Sequence, residues 1–292
     1  MDGTIERGAL ALDAARQRRS PPVGDLAQDR IQVNSIASPE HVLVAGVQEP
    51  RLRAVSLSDF LALDIPPPEP LLGSLLTRQS LAMVYAWRGV GKTWFALYAA
   101  YAVASGGTFL RWKADQPHRV LYLDGEMPAA SMQKRLATIA AAAENQPPEG
   151  FFQLVTPDLS GGLVPDLATH QGQAAVDALI ATAGAELIVL DNLSCWVRSG
   201  GAENEAESWR LMSEWLLRHR SAGRTVLLVH HSGKNLAQRG TSKKEDILDV
   251  SIDLRRPPQY EPEQGAAFTI EFVKAAHDRQ PGRAVRGLPY NR

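Results

Sequence analysis

Cysteine is nearly absent from this chain, since Cys195 is the only one. A single cysteine excludes an internal disulfide framework, and no group of cysteine and histidine residues has the spacing of a zinc site. Apolar runs are short as well, because the longest, residues 94–104, is about half as long as a membrane span requires. The amino terminus carries Asp2 and Glu6 and lacks the basic-then-apolar order of a secretory signal. These absences predict a cytoplasmic protein with no membrane partner.

The chain also lacks a strong net charge. Its formal net charge is −1 over 292 residues, so no overall field attracts nucleic acid, and such a contact requires local basic segments. Hydrophobic residues make up 45% and charged residues 22% of the chain, as in soluble globular proteins. This length accommodates one large core and a smaller appendage.

Residues 1–55 differ from the remainder, because they show no lasting hydrophobic periodicity beyond one short predicted helix at 8–19. They are predicted to form an N-terminal arm that is either partly disordered or packed on a neighbouring subunit. Four prolines among residues 66–70 predict a stiff connector. Residues 56–292 are predicted to form one domain with a basic C-terminal tail.

Strand-like and helix-like segments alternate along this domain. Apolar, often β-branched runs predict strands at residues 81–85, 120–123, 151–155, 187–190, 225–229, 250–254 and 268–273. Helices are predicted at residues 92–105, 129–143, 172–182 and 204–221. The alternation predicts an α/β fold with a mostly parallel central sheet flanked by helices. The last two strands follow each other without a helix, so that edge is predicted to be antiparallel.

A glycine-rich segment joins the first of these strands to its helix and is typical of a phosphate-binding loop. Its residues are Ala86, Trp87, Arg88, Gly89, Val90, Gly91, Lys92 and Thr93, followed by Trp94, and only Ala86 departs from the usual pattern. The two glycines permit dihedral angles that turn backbone N–H groups toward phosphate oxygens. Lys92 is expected to contact the β- and γ-phosphates, and Thr93 to bind Mg²⁺. ATP and Mg²⁺ are therefore the predicted ligands.

Three further strand ends carry groups that an ATPase needs. Asp191 ends an apolar strand and is predicted to hold Mg²⁺. Glu126 follows the strand after the loop helix and is predicted to orient or deprotonate the attacking water, with Asp124 as its rival for that role. His230 and His231 end a later strand, where one histidine can detect the γ-phosphate by hydrogen bonding or where both are structural.

The order of these segments resembles the RecA-like ATPase superfamily, and within it the RepA hexameric replicative helicases of broad-host-range plasmids and related bacterial AAA-type ATPases. The resemblance covers residues 70–275 and rests on a set of short motifs. They are AWRGVGKT, LYLDGEMP followed by Lys134-Arg135-Leu136, LIVLDN, Glu203-Asn204-Glu205, VLLVHHSGK and Arg239-Gly240-Thr241-Ser242. It implies a RecA-like fold and a ring-shaped homo-oligomer, expected to be a hexamer.

The resemblance also implies residue roles. It makes Glu126 the catalytic carboxylate and His231, with His230 beside it, the γ-phosphate sensor. Arg239 becomes an arginine finger that acts across the subunit boundary, and Arg135 a further nucleotide-site residue. Without the resemblance, both arginines would be interpreted as members of surface ion pairs.

Single-stranded DNA is the predicted partner, through Lys234, Lys243 and Lys244, which follow the sensor strand in a segment free of acids up to Glu245. The basic tail at 274–292 is a second candidate, although a solvated charge run is the more common meaning of such a segment. The resemblance favours a DNA helicase or translocase in plasmid or mobile-element replication. Two alternatives remain, namely a regulatory ATPase that controls a protein partner and a RecA-type recombination or repair ATPase.

Overall fold

The computed structural model describes residues 54–198, 205–231, 245–261, 263, 265–275 and 285–286, and structural statements below concern these residues. The chain divides into two compact units, Met1–Leu63 and Asp64–Arg292. The described part of the first unit contains helix α1 (Leu57–Leu61), which begins where the Ser56 hydroxyl accepts a hydrogen bond from the backbone N–H of Asp59. The predicted domain boundary at residue 56 and the predicted N-terminal arm stay predictions, because most of the first unit lies outside the described residues.

The second unit is built on a sheet of eight described strands. In chain order these strands are β3 (Leu81–Ala86), β6 (Val120–Asp124), β7 (Phe152–Val155), β8 (Leu187–Asp191), β9 (Thr225–His231), β10 (Val250–Arg255), β11 (Thr269–Ala275) and β12 (Val285–Arg286). Their order across the sheet is β12-β11-β10-β3-β9-β8-β6-β7. Neighbours are parallel from β10 to β7, whereas β11 pairs antiparallel with both β10 and β12. Two short hairpins accompany the sheet, β1 (Pro70–Leu72) with β2 (Leu76–Thr77) and β4 (Thr108–Phe109) with β5 (Trp112–Lys113).

Helices cover both faces of the sheet. They are α2 (Lys92–Ser105), α3 (Ala129–Ala142), α4 (His170–Ala183), α5 (Leu193–Trp196) and α6 (Glu205–Ser221), with a short 3₁₀ helix at Pro157–Leu159. Alternate strand residues enter two cores, one shared with α2 and the other with α4, α5 and α6. Because β3, β6, β8 and β9 are buried on both faces, their sequences are apolar without alternation.

The predicted fold class is confirmed. Helix α2 has its predicted bounds, and each predicted strand of the sheet is present to within about two residues, the usual uncertainty of element ends. The antiparallel edge is present too. The two hairpins, β12 and α5 were not predicted, because so few residues carry no periodic signal.

The sheet brings the predicted site residues to one edge. In a parallel sheet the carboxyl ends of all strands lie together, and ligands bind there. The register aligns Ala86 of β3 with His231 of β9, and Asp124 of β6 with Asp191 of β8. No described helix is long and apolar enough to cross a membrane.

Candidate nucleotide site

The loop between β3 and α2 has the geometry expected of a phosphate-binding loop. Gly89 and Gly91 have φ values of 76° and 121°, in the region that side chains disfavour. Gly91 is also confined by its neighbours, because a Cβ there would lie 3.2 Å from side-chain atoms of Ala266 and Phe268. The loop therefore packs beneath the connection between β10 and β11, and α2 begins immediately after it with its N-terminal N–H groups facing the loop.

Lys92 is buried at the base of this loop, with 5% of its surface exposed. Its ammonium group donates hydrogen bonds to the carbonyl oxygens of Ala86 at 2.8 Å and Trp87 at 3.0 Å. Burial lowers the pKa of Lys92 to about 8, although the nearby carboxylates of Asp191 and Glu126 oppose that change. Burial of a cation among carbonyl oxygens is costly, and phosphate oxygens would supply the compensating negative charge.

Asp191 and Thr93, the two predicted metal ligands, lie together. Asp191 is 3% exposed, accepts a hydrogen bond from the Tyr122 hydroxyl at 2.7 Å and is hydrogen-bonded by the Thr93 side chain. Burial raises the pKa of Asp191, while these hydrogen bonds oppose the change. A hydroxyl and a carboxylate in contact provide the oxygen ligands that Mg²⁺ prefers, with phosphate oxygens and water completing its coordination. The donor set therefore fits the predicted ion.

The structure separates the surroundings of Asp124 and Glu126, the two rivals for the catalytic role. Asp124 is 1% exposed, and its Oδ2 accepts a hydrogen bond from the backbone N–H of Met127 at 3.0 Å. Burial raises the pKa of Asp124 to about 7. Glu126 is exposed and lines the cavity beside the loop. Asp124 thus stabilises the turn after β6 through its hydrogen bond with Met127. Glu126 is the carboxylate that a water molecule in the cavity can contact.

The histidine pair divides between the two faces of the sheet. His231 lines the cavity, and burial, followed by the charge of Lys92, lowers its pKa and keeps its ring neutral. His230 is the preceding residue of β9, so its side chain lies on the opposite face. Of the pair, His231 is therefore placed to contact a bound phosphate.

Arg135 of α3 also reaches the cavity. Its guanidinium carbon lies 5.1 Å from the centre of the Trp94 ring, within the range of a cation–π contact. Both side chains line the cavity beside the phosphate loop. Arg135 thus lies at the nucleotide site. This position was predicted from the sequence only through the family resemblance.

The cavity that joins these residues has a volume of about 890 Å³. Its lining includes most of the predicted site residues, namely Arg88, Gly89, Gly91, Lys92, Thr93, Trp94, Glu126, Arg135 and His231. It also includes residues that were not predicted, namely Asn192, Ser194, Cys195, Gly265 and Ala266. Asn192 ends the LIVLDN motif but was given no role there, and the other four residues belong to none of the motifs of the sequence analysis.

Other predicted residues lie behind the lining or outside the described chain. Ala86 and Val90 are buried in the core beneath the loop, and Trp87 is exposed at its tip. The predicted arginine finger, Arg239, and the predicted DNA-contacting residues, Lys234, Lys243 and Lys244, are outside the described residues. Their roles stay predictions.

Comparison with known proteins agrees with this geometry. A family model described as an AAA domain matches residues 47–237, more than half of the chain. The chain belongs to the AAA domain family. Among solved structures, this AAA domain is similar to a KaiC-like protein from the hyperthermophilic archaeon Pyrococcus horikoshii OT3, with 14% identity and a TM-score of 0.50 over 74% of this chain and 88% of that protein. A comparison with curated protein sequences gives no match.

The structural similarity concerns the fold alone at this level of identity, and that fold is the predicted RecA-like one. With its phosphate loop, buried lysine and Thr93–Asp191 pair, this AAA domain is a RecA-like P-loop ATPase. The finer resemblance to the RepA helicases stays a prediction.

Proposed function

We propose that this protein is an Mg²⁺-dependent ATP hydrolase that works as a ring-shaped homo-oligomer, a hexamer, and moves along single-stranded DNA as a helicase or translocase. The hydrolytic part is carried by one observation: Lys92, Thr93 and Glu126 line a single cavity at the end of the phosphate loop, and the buried Asp191 is hydrogen-bonded to Thr93. Hydrolysis of a phosphoanhydride needs these three functions close together, namely a cation for the phosphates, a metal site and a base.

Each side chain then has a defined task. Lys92 neutralises the phosphate oxygens, and Thr93 and Asp191 hold the ion, which supplies positive charge to the leaving diphosphate when bound. Glu126 orients a water molecule for in-line attack and accepts its proton. His231 lies at the end of β9 beside the loop, where its neutral ring hydrogen-bonds the γ-phosphate. The loss of this hydrogen bond after hydrolysis signals that the phosphate has left.

The oligomeric and DNA-binding parts rest on the resemblance to replicative helicases. An arginine finger at Arg239 completes the site of a neighbouring subunit, because charge on the transferred phosphoryl group is stabilised by a cation that stays protonated. In this proposal, Lys234, Lys243 and Lys244 of each subunit contact the backbone of one DNA strand. A few phosphate contacts per subunit, repeated around a ring, suffice for binding without sequence preference.

The rate of phosphate release with and without single-stranded DNA, measured together with native mass, tests the proposal. We expect Mg²⁺-dependent hydrolysis, acceleration by single-stranded DNA, a hexameric mass and strand separation on a forked duplex. Lys92→Ala should abolish nucleotide binding and hydrolysis.

Each part of the proposal can fail separately. Hydrolysis by Lys92→Ala at the wild-type rate would contradict the assignment of the phosphate loop as the nucleotide site. Hydrolysis that ignores DNA, in a protein that forms no ring, would leave the ATPase and exclude the helicase in favour of a regulatory ATPase. A helical filament on DNA would instead favour a recombination or repair ATPase.

A further inference from the structure

The side chain of Cys195, the only cysteine of the chain, lies in the nucleotide cavity beside the proposed base. Its Sγ donates to Oε2 of Glu126 at 3.8 Å, within the range of hydrogen bonds that involve sulfur. Burial, followed by the negative charge of Glu126, raises the pKa of the Cys195 thiol. The thiol therefore keeps its proton at neutral pH and is a donor to the carboxylate.

A second contact presses the same turn against α5. A Cβ on Gly125 would lie 2.5 Å from Cβ of Cys195 and 3.1 Å from Nε1 of Trp196, so position 125 has no room for a side chain. The backbone N–H of Gly125 also donates to the carbonyl oxygen of Asp191 at 2.8 Å. The residue before Glu126 is thus fixed between the end of β8 and α5.

These two contacts have different consequences for Glu126. Packing at Gly125 fixes the backbone from which the Glu126 side chain leaves, whereas the thiol contacts the carboxylate itself. An exposed glutamate without a donor samples several rotamers, and each misplaced rotamer removes the base from the attacking water. A donor half-buried in the cavity wall selects the rotamer that points into the cavity.

We propose that Cys195 is a positioning residue for Glu126, which it holds in the orientation required for water attack by donating a hydrogen bond to the carboxylate. This inference rests on the proposed hydrolytic function, because it concerns the residue proposed as base. It makes α5 part of the catalytic apparatus, although α5 supplies no group that contacts the phosphates in the proposed mechanism.

Single-turnover hydrolysis by Cys195→Ala and Cys195→Ser tests the proposal. The alanine variant loses the donor, and we expect its hydrolysis rate to fall about tenfold, which corresponds to the lower range for a hydrogen bond to a charged group. Affinity for the non-hydrolysable analogue of ATP should be unchanged, since the thiol lies at the carboxylate. The serine variant keeps a donor and should recover most of the rate.

The outcomes separate this inference from the proposed function. A wild-type protein without ATPase activity would overturn the proposed function and this inference with it. An active wild type and an equally active alanine variant would overturn only the role of Cys195. Equal losses in the alanine and serine variants would also overturn it, because they would indicate packing rather than hydrogen bonding.

A chemical test on the wild-type protein avoids any effect of substitution on folding. Methyl methanethiosulfonate converts the thiol to a methyl disulfide, releases methanesulfinate and, in this chain, has one cysteine to modify. We expect the modified protein to bind nucleotide, to hydrolyse it at least about tenfold more slowly and to recover with dithiothreitol. The residual rate of Cys195→Ala should be insensitive to the reagent. A fully modified wild type with an unchanged rate would contradict the proposal.

Discussion

At the scale of single residues, the site depends on carboxylates that share one sheet edge and differ in burial. Asp191 and Asp124 occupy adjacent, paired positions at the ends of β8 and β6 and are almost fully buried. Glu126 lies two residues beyond Asp124 and is exposed to the cavity. Burial therefore supports the proposed roles, because a buried carboxylate can hold an ion or a turn, whereas a solvated one can contact a water molecule.

Glu126→Gln tests the assignment of the base. Glutamine has nearly the same shape but cannot accept a proton, so we expect kcat to fall roughly a hundredfold or more while nucleotide affinity stays the same. Phosphate release and equilibrium binding of a fluorescent ATP analogue measure the two effects. A variant with normal kcat would transfer the role to another group, with Asp124 the first candidate.

Asp124→Asn tests how much the burial of an ionised carboxylate at position 124 reduces the stability of the folded protein. The pKa of Asp124 is raised from 3.8 to about 7 by burial, so the folded protein holds this proton more tightly than the unfolded chain. The bound proton therefore contributes to the stability of the folded protein in full below pH 3.8, the ordinary pKa of the unfolded chain. This contribution is lost as the pH rises through the folded pKa of about 7. Asparagine keeps an acceptor for the N–H of Met127 and carries no charge.

The expected result for Asp124→Asn is a gain in stability that grows with pH. Between pH 5 and pH 8, its advantage over wild type in the free energy of unfolding should increase by about 2–3 kcal/mol. Urea unfolding at both pH values, without nucleotide and with a chelator, provides the measurement. An advantage that does not change with pH would mean that Asp124 titrates normally.

At the scale of elements, a polar cluster around the half-buried Asp177 connects α6 to α4. Oδ1 of Asp177 accepts hydrogen bonds from Nε1 of Trp215 at 2.7 Å and from Nε2 of His219 at 2.9 Å. Trp215 is fully buried and His219 nearly so, and burial lowers the pKa of the His219 ring. Neither donor can turn to water, so the single carboxylate satisfies both.

Asp177→Ala should therefore destabilise the protein without altering its chemistry. Two buried donors lose their acceptor, and we expect the free energy of unfolding to fall by about 2–4 kcal/mol. The ATPase rate well below the melting temperature should be unchanged, since none of these three residues lines the cavity. As a control, Arg210→Ala breaks an exposed pair with Glu214 on the same helix and should cost no more than about 0.5 kcal/mol. Equal losses of unfolding free energy in Asp177→Ala and Arg210→Ala would show that the cluster contributes little to stability.

At the scale of the whole molecule, the proposed ring makes each active site the product of two subunits. Glu126→Gln removes the base from a subunit's own site, whereas Arg239→Ala removes the finger from a neighbour's site. Each pure variant should be inactive. In a mixture, a site works where a subunit with an intact Glu126 meets a neighbour with an intact Arg239.

Equal mixing of the two inactive variants should restore activity. Random assembly pairs the intact halves at about a quarter of the sites, so roughly a quarter of wild-type hydrolysis is expected if sites work independently. Co-refolded or co-expressed mixtures, assayed for phosphate release, provide the measurement. A mixture that stays inactive would place the finger in its own subunit or exclude it.

Much of this molecule follows from local sequence. The phosphate loop and α2 were predicted correctly, because the loop has its glycines at the positions where φ is positive and a long apolar run follows in the helix. The strands were predictable because burial on both faces requires continuous apolar runs. The predicted site residues at the ends of β3, β6, β8 and β9 followed from the rule that carboxyl ends of parallel strands share an edge.

Only the tertiary structure decided which side chains meet at that edge. Alternation along β9 sends His231 to the cavity and His230 to the other face, a choice that depends on the register with β3. Residues from distant segments complete the cavity, since Cys195 of α5 contacts Glu126, and the connection after β10 covers the phosphate loop. These contacts join residues far apart in the chain and have no local signature, because they depend on packing between elements rather than on propensity within them.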